Sequence, residues 1–63
     1  MNNPAHQRTF ISVVIPALNE EEPIADVVRG IPREIASEII VVDNGSDDRT
    51  AERARVAGAL VVS

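Results

Sequence analysis

Nearly all the ligand-binding side chains in this sequence fall in two short acidic stretches. Residues 16–22 read Pro-Ala-Leu-Asn-Glu-Glu-Glu, and residues 43–48 read Asp-Asn-Gly-Ser-Asp-Asp. Ionised carboxylates accept hydrogen bonds from hydroxyls and ring N–H groups, so these stretches suit a ribose or a nucleobase. They do not suit a phosphate. A dinucleotide site places G-x-G-x-x-G after a strand, and a P-loop needs G-x-x-x-x-G-K-[ST]. The first stretch has no glycine, the chain has no lysine, and all six basic residues are arginine. Three consecutive glutamates repel a phosphate brought to their amides. A diphosphate near these loops must be held elsewhere, through a metal ion.

Each acidic stretch follows an apolar run. Residues 10–15 (F-I-S-V-V-I) are nearly continuous and rich in β-branched side chains, and Pro16 ends them. Such a run reads as a central parallel strand buried on both faces. Residues 39–42 (I-I-V-V) repeat the pattern up to Asp43, and residues 60–62 (L-V-V) begin a third copy. Between the first two runs, Ile24, Val27, Val28 and Ile31 fall on one face of a helix. Pro23 suits its first turn, Glu20 to Glu22 suit its positive end, and Gly30 and Pro32 stop it. Residues 32–37 return to the second strand, with Ile35 as the packing residue. A second helix is expected from Thr50 to Ala57, with Ser46 or Asp48 as its cap and Gly58 just past its end. Ala51, Ala54 and Ala57 give it a small-residue face that can sit close to a sheet.

This β-α-β-α-β order with short connections implies right-handed crossovers and a parallel sheet, an α/β Rossmann-like arrangement. In such sheets ligands bind beyond the carboxyl ends of the strands, and both acidic stretches lie there. Two short helices, one of them mostly alanine, cannot cover three apolar strands on both faces. The expectation is the start of a longer domain, completed by the rest of that domain or by a complementary chain. Residues 1–9 are polar and read as a flexible lead-in; residues 10–63 form the domain segment.

Composition narrows the partners. The formal net charge is −4 and aromatics are 2% of the 63 residues. An acidic chain without a basic stripe or stacking platform argues against nucleic acid. No stretch approaches the roughly 20 apolar residues of a membrane span. There is no cysteine for a disulfide or thiolate metal site.

Residues 13–21 (V-V-I-P-A-L-N-E-E) and 39–50 (I-I-V-V-D-N-G-S-D-D-R-T) resemble the first two strand-loop motifs of family 2 glycosyltransferases, inverting enzymes of the GT-A fold. The pattern is nearest the dolichyl- and polyprenyl-phosphate sugar transferase branch, and it covers about residues 12–63. The resemblance implies a nucleotide-sugar pocket lined by Pro16, Ala17, Asn19, Glu20, Asp43, Asn44, Gly45 and Ser46, with Asp43 on the base or ribose. It implies a UDP- or GDP-linked donor, an acceptor such as a lipid phosphate or polysaccharide, and a divalent metal, Mg²⁺ or Mn²⁺. It implies a cytoplasmic enzyme, with the inner membrane face as an alternative. The D-x-D metal motif and the catalytic base of that family come later than Ser63. Asp47 and Asp48 stand in the wrong place for the motif, so this chain alone is expected to be inactive and to hold no metal ligand.

Blander readings stand beside these. Glu20 as a helix-start acid, Asn19 as a helix cap and Asp43 as a turn-former each need no ligand. Motif position favours a ligand role for Glu20, the place at a strand's carboxyl end favours one for Asp43, and residue type favours a cap for Asn19, which can still line the pocket. Glu21, Glu22, Asp47, Asp48 and Thr50 read as helix-start, capping or solvated residues. His6 falls in the lead-in, and Arg29, Arg33, Arg53 and Arg55 read as solvated. The rival functions are a non-catalytic remnant that keeps the nucleotide pocket, and a sugar-phosphate nucleotidyltransferase. The latter class opens with a glycine-rich basic loop, which residues 16–22 are not.

Overall fold

The computed structural model describes residues 9–63. The expected lead-in falls outside the described residues, apart from Thr9, which is exposed and in no regular element. Five elements follow in order: β1 (Ser12–Ala17), α1 (Ile24–Arg29), β2 (Glu38–Asp43), α2 (Thr50–Val56) and β3 (Leu60–Val62). The strands form one parallel sheet in the order β1-β2-β3. Ser12 pairs with Glu38 and Ala17 with Asp43; Ile40 pairs with Leu60 and Val42 with Val62. Consecutive right-handed crossovers put both helices on the same face of the sheet, where α1 and α2 touch.

Alternation along the strands decides what is buried. Val13, Ile15 and Ala17 of β1 and Ile39 and Val41 of β2 point toward the helices and pack with Ile24, Val28, Ala36, Ala54 and Ala59. Val28, Ile39 and Val41 are fully buried, and each contributes about 1.5–3 kcal/mol relative to exposure. Ala54 is fully buried as well, so the alanine face brings α2 close to the sheet as expected. Gly58, with φ 108°, occupies the left-handed position just past α2.

Four expectations change. Strand β1 runs through Pro16 to Ala17 and does not end at Ile15. The carbonyl of Ala17 faces β2, accepting from the Asn44 N–H at 2.9 Å. By alternation the Pro16 nitrogen faces the other way, and its missing N–H costs no ladder bond. Among the described residues β1 is an edge strand, and β2 is the central one. Its Ser12, Val14 and Pro16 are exposed, because both helices lie on the opposite face. Ile35 is exposed and Ala36 buried in the return segment. The Ile35 and Ala36 amides both bond to the Pro32 carbonyl, at 3.1 and 3.0 Å, and this turn brings Ala36 inward. Val27 stays 46% exposed, so the inner stripe of α1 is narrower than its periodicity suggests.

The second face of the sheet carries Val14, Leu60 and Val62, 56%, 58% and 51% exposed, with Ile40 and Val42 half-buried between them. A contiguous apolar surface of this kind marks a face built to be covered. The structure is a two-layer portion of what the strand pattern requires to be three layers.

Candidate functional site

The loops after β1 and β2 lie together at the carboxyl edge of the sheet, and six hydrogen bonds tie them. The Asn44 N–H donates to the Ala17 carbonyl. The Asn19 N–H donates to Ser46 Oγ at 2.9 Å, and the Asp47 N–H to Asn19 Oδ1 at 2.9 Å. The Glu20 N–H donates to Thr50 Oγ1 at 2.8 Å, and the Glu21 N–H to Asp48 Oδ2 at 3.3 Å. The Arg49 N–H donates to Glu21 Oε1 at 3.2 Å.

Two of these bonds continue as relays. Ser46 takes the Asn19 amide and passes its own hydroxyl hydrogen to Asp43 Oδ1, which also accepts the Ser46 N–H at 3.1 Å. Thr50 takes the Glu20 amide and donates to Asp48 Oδ1, which also accepts the Thr50 N–H at 3.0 Å. The hydrogen bonds to Asp48, led by the Thr50 hydroxyl, hold its carboxyl below the ordinary aspartate value of 3.8, against a smaller opposing effect of burial.

Pro16, Ala17, Asn19, Glu20, Asp43, Asn44, Gly45 and Ser46 are thus brought to one edge. Their parts differ. Ala17 is buried and belongs to the core as well as the loop base. Asn19 caps nothing in α1, whose start at Pro23 has no side-chain cap bond. Its φ of 52° is left-handed, which asparagine tolerates better than most residues, and its side chain reaches the second loop instead. Asp43 does shape the turn through Oδ1, and among the described residues its Oδ2 makes no hydrogen bond. The Glu20 carboxylate makes none either; only its backbone is bound. Gly45 has φ 87°, with nothing within 4 Å of where a Cβ would stand. That positive φ is one glycine adopts without steric cost, and the space beside it is open.

Three residues matter more here than their sequence reading suggested. Glu21 serves the start of α2, not α1, through the Arg49 amide and an ion pair with Arg53 at 3.8 Å. Thr50 is fully buried and joins the loops. Asp48 bonds the Thr50 amide at the start of α2, but the residue at the N-cap position is Arg49 and it makes no side-chain cap bond. Ser46 is spent on the first loop, so neither residue caps α2 as expected. The pattern D-x-T held the signal for the last two, since an aspartate two residues before a threonine is a helix-start arrangement. Nothing local pairs Glu21 with residue 49.

A cleft of about 350 Å³ lies elsewhere, between α1 and α2, and is lined by Glu22, Asp26, Arg29, Arg49, Glu52 and Arg53 among others. It includes none of the eight edge residues. Its charges are partly paired, Arg29 with Asp26 at 3.5 Å and Arg49 with Glu52 at 3.4 Å. Exposed pairs of this type contribute little. The strand-end edge, with unpaired acceptors and an open glycine, is the better candidate. Among the described residues no three His, Cys, Asp or Glu side chains are grouped to hold a metal ion.

The fold is the opening of a GT-A domain. Its backbone superposes on the crystal structure of Mycobacterium tuberculosis glucosyl-3-phosphoglycerate synthase with a TM-score of 0.79 at 49% identity, covering 86% of this chain and 21% of that one. A structure of the same synthase with Mn²⁺, UDP-glucose and phosphoglyceric acid matches equally well, TM-score 0.79 over 20% of its length. The family model for glycosyl transferase family 2 matches residues 12–59, and the chain belongs to that family. It is similar to glucosyl-3-phosphoglycerate synthase of Mycolicibacterium smegmatis, 52% identical over 56 residues, which are 84% of this chain and 18% of the relative. It is also similar to 4,4'-diaponeurosporenoate glycosyltransferase of Staphylococcus haemolyticus, 46% identical over 52 residues, 81% of this chain and 14% of that protein. The chain therefore spans about a fifth or less of the relatives it matches.

Proposed function

We propose that this chain supplies the nucleotide-binding part of a donor pocket in a glycosyltransferase that uses a UDP-linked sugar, with UDP-glucose the favoured donor. The observation that carries the reading is the bonded pair of strand-end loops, which leaves the Glu20 carboxylate, Asp43 Oδ2 and the open side of Gly45 available at one edge. Uracil and ribose present N–H and O–H donors, and these acceptors match them. Support comes from the related synthase of M. tuberculosis, whose structures hold UDP-glucose or UDP with Mn²⁺, or UDP with Mg²⁺.

The acceptor reading changes with these relatives. Three synthase structures contain phosphoglyceric acid or its glucosylated product, so a small phosphorylated acid replaces the lipid phosphate expected from the polyprenyl-phosphate pattern. No helix among the described residues is long and apolar enough to cross a membrane, and nothing further supports the membrane-face alternative.

In the reaction so proposed, an acceptor hydroxyl oxygen bonds to the anomeric carbon while its proton passes to a general base supplied by the rest of the enzyme, the bond to the diphosphate breaks, and the diphosphate leaves with the electron pair. A divalent metal would supply charge neutralisation at that leaving group. The present residues fix the nucleoside so that the anomeric carbon is held in place, a proximity effect. The bare face of the sheet is covered by the remainder of the domain.

A chimera tests this. Residues 12–63 would replace the matching segment of the M. tuberculosis synthase, and glucose transfer from UDP-glucose to 3-phosphoglycerate would be measured. Transfer that survives in the chimera and falls on Glu20→Ala and on Asp43→Ala supports the reading. A folded chimera in which neither substitution alters the KM for UDP-glucose refutes it.

A further inference from the structure

We propose that Thr50 is a positioning residue of the donor pocket, holding the Glu20 loop in its ligand-ready place through its buried hydroxyl. This rests on the donor-pocket reading above. Thr50 is fully closed to solvent, and it is the buried polar residue among the described residues. A hydroxyl in such a place is costly unless satisfied, and a valine would fill the same volume without that demand. The hydroxyl is satisfied across a gap of 30 residues in sequence, accepting from the Glu20 N–H at 2.8 Å and donating to Asp48.

Capping α2 does not explain this. The N-cap residue Arg49 makes no side-chain cap bond, and the Thr50 N–H is already taken by the Asp48 carboxylate at 3.0 Å, so the helix start makes no use of the bond to Glu20. The bond to Glu20 serves the other loop. It pairs with the neighbouring Asn19–Ser46–Asp43 relay, so that two consecutive amides of the first loop are fixed to two hydroxyls of the second. One relay starts at the candidate ligand Glu20 and the other ends at the candidate ligand Asp43. A loop ordered before the nucleotide arrives spares the complex that ordering cost. Without the hydroxyl, the cost moves into the binding step.

The test uses the full chain, ¹⁵N-labelled and titrated with UDP, as wild type, Thr50→Ser, Thr50→Val, Glu20→Ala and the double variant Glu20→Ala/Thr50→Val. Thr50→Ser keeps the hydroxyl and should bind UDP within about twofold of wild type, whereas folded Thr50→Val should lose about tenfold. The Glu20 amide should exchange faster with solvent in Thr50→Val and not in Thr50→Ser. The double variant should lose no more than Glu20→Ala alone, because Thr50 acts through Glu20. Wild-type affinity in folded Thr50→Val, or losses that add in the double variant, overturns the proposal. Should Thr50→Val fail to fold, the unmutated chain decides: its Thr50 hydroxyl proton should be protected and shift on UDP saturation, and an unmoved resonance overturns the proposal. A wild-type chain that binds no UDP refutes the donor pocket itself, which is a separate outcome from UDP binding that is indifferent to Thr50.

Discussion

Gly45 and Gly58 provide a matched pair of perturbations at opposite edges of the sheet. Gly45 follows β2 at the carboxyl edge, with φ 87° and no atom within 4 Å of a built Cβ. Gly58 precedes β3 at the amino edge, with φ 108° and its Cβ position 2.7 Å from Arg33 Nη2. Alanine at either site must hold a left-handed backbone, which costs about 1–2 kcal/mol. At Gly45 that strain is the whole cost to the free chain. At Gly58 the Arg33 side chain must also swing away and give up its exposed bond to the Gly58 carbonyl, 3.3 Å long, adding about 0.5 kcal/mol. Urea unfolding followed by circular dichroism should show both variants with lower midpoints and unchanged slopes. Gly45→Asn should recover much of the loss, since asparagine tolerates this region. UDP affinity separates the two sites: Gly45→Ala places a methyl group in the open space of the proposed pocket and should weaken binding, while Gly58→Ala should not. An unchanged midpoint for Gly45→Ala would show that the loop does not hold its left-handed turn. Equal loss of UDP affinity at both glycines would refute the placement of the pocket.

Other outcomes follow from the same geometry. Ile39→Ala removes a fully buried side chain and should cost about 2–5 kcal/mol, whereas exposed Ile35→Ala should stay within about 0.5 kcal/mol; urea midpoints compare them. The folded-state pKa of Asp48 is depressed, so its stabilising effect is complete above the ordinary value of 3.8 and is lost as pH falls through the depressed folded value. Midpoints measured from about pH 6 to about pH 2 should fall more steeply for wild type than for Asp48→Asn, and parallel curves would contradict this. Because the acidic loops offer the diphosphate nothing, uridine, UMP and UDP should bind the chain with similar affinity in calorimetry without added metal.

The sequence made the alternation of strands and helices legible because each element carries its own period. The continuous β-branched runs, the Ile24–Val28 spacing and the position of Gly58 just past α2 are local signals, and the structure keeps them. What it corrects depends on contacts across the chain. A proline after an apolar run looks like a strand end, yet Pro16 continues β1 because its nitrogen faces away from β2. Ile35 looks like the packing residue of its segment, but the turn on the Pro32 carbonyl buries Ala36 instead. The candidate site was legible as two acidic loops. Its cross-loop wiring was not, because Asn19, Glu21 and Thr50 each meet partners 27 to 30 residues away, beyond any periodicity. Asn19 illustrates the limit: its type suggested a cap, and its positive φ and second-loop bonds give it a different task.

The most direct test of the nucleotide pocket is amide-resonance mapping of the unmutated chain on addition of UDP. The account predicts that the largest shifts fall on Asn19, Glu20 and residues 43–46, with little change at Ala25, Arg29 and Val56 in the cleft between the helices. Shifts confined to that cleft, or a folded chain that shows none at the strand-end loops, would contradict it.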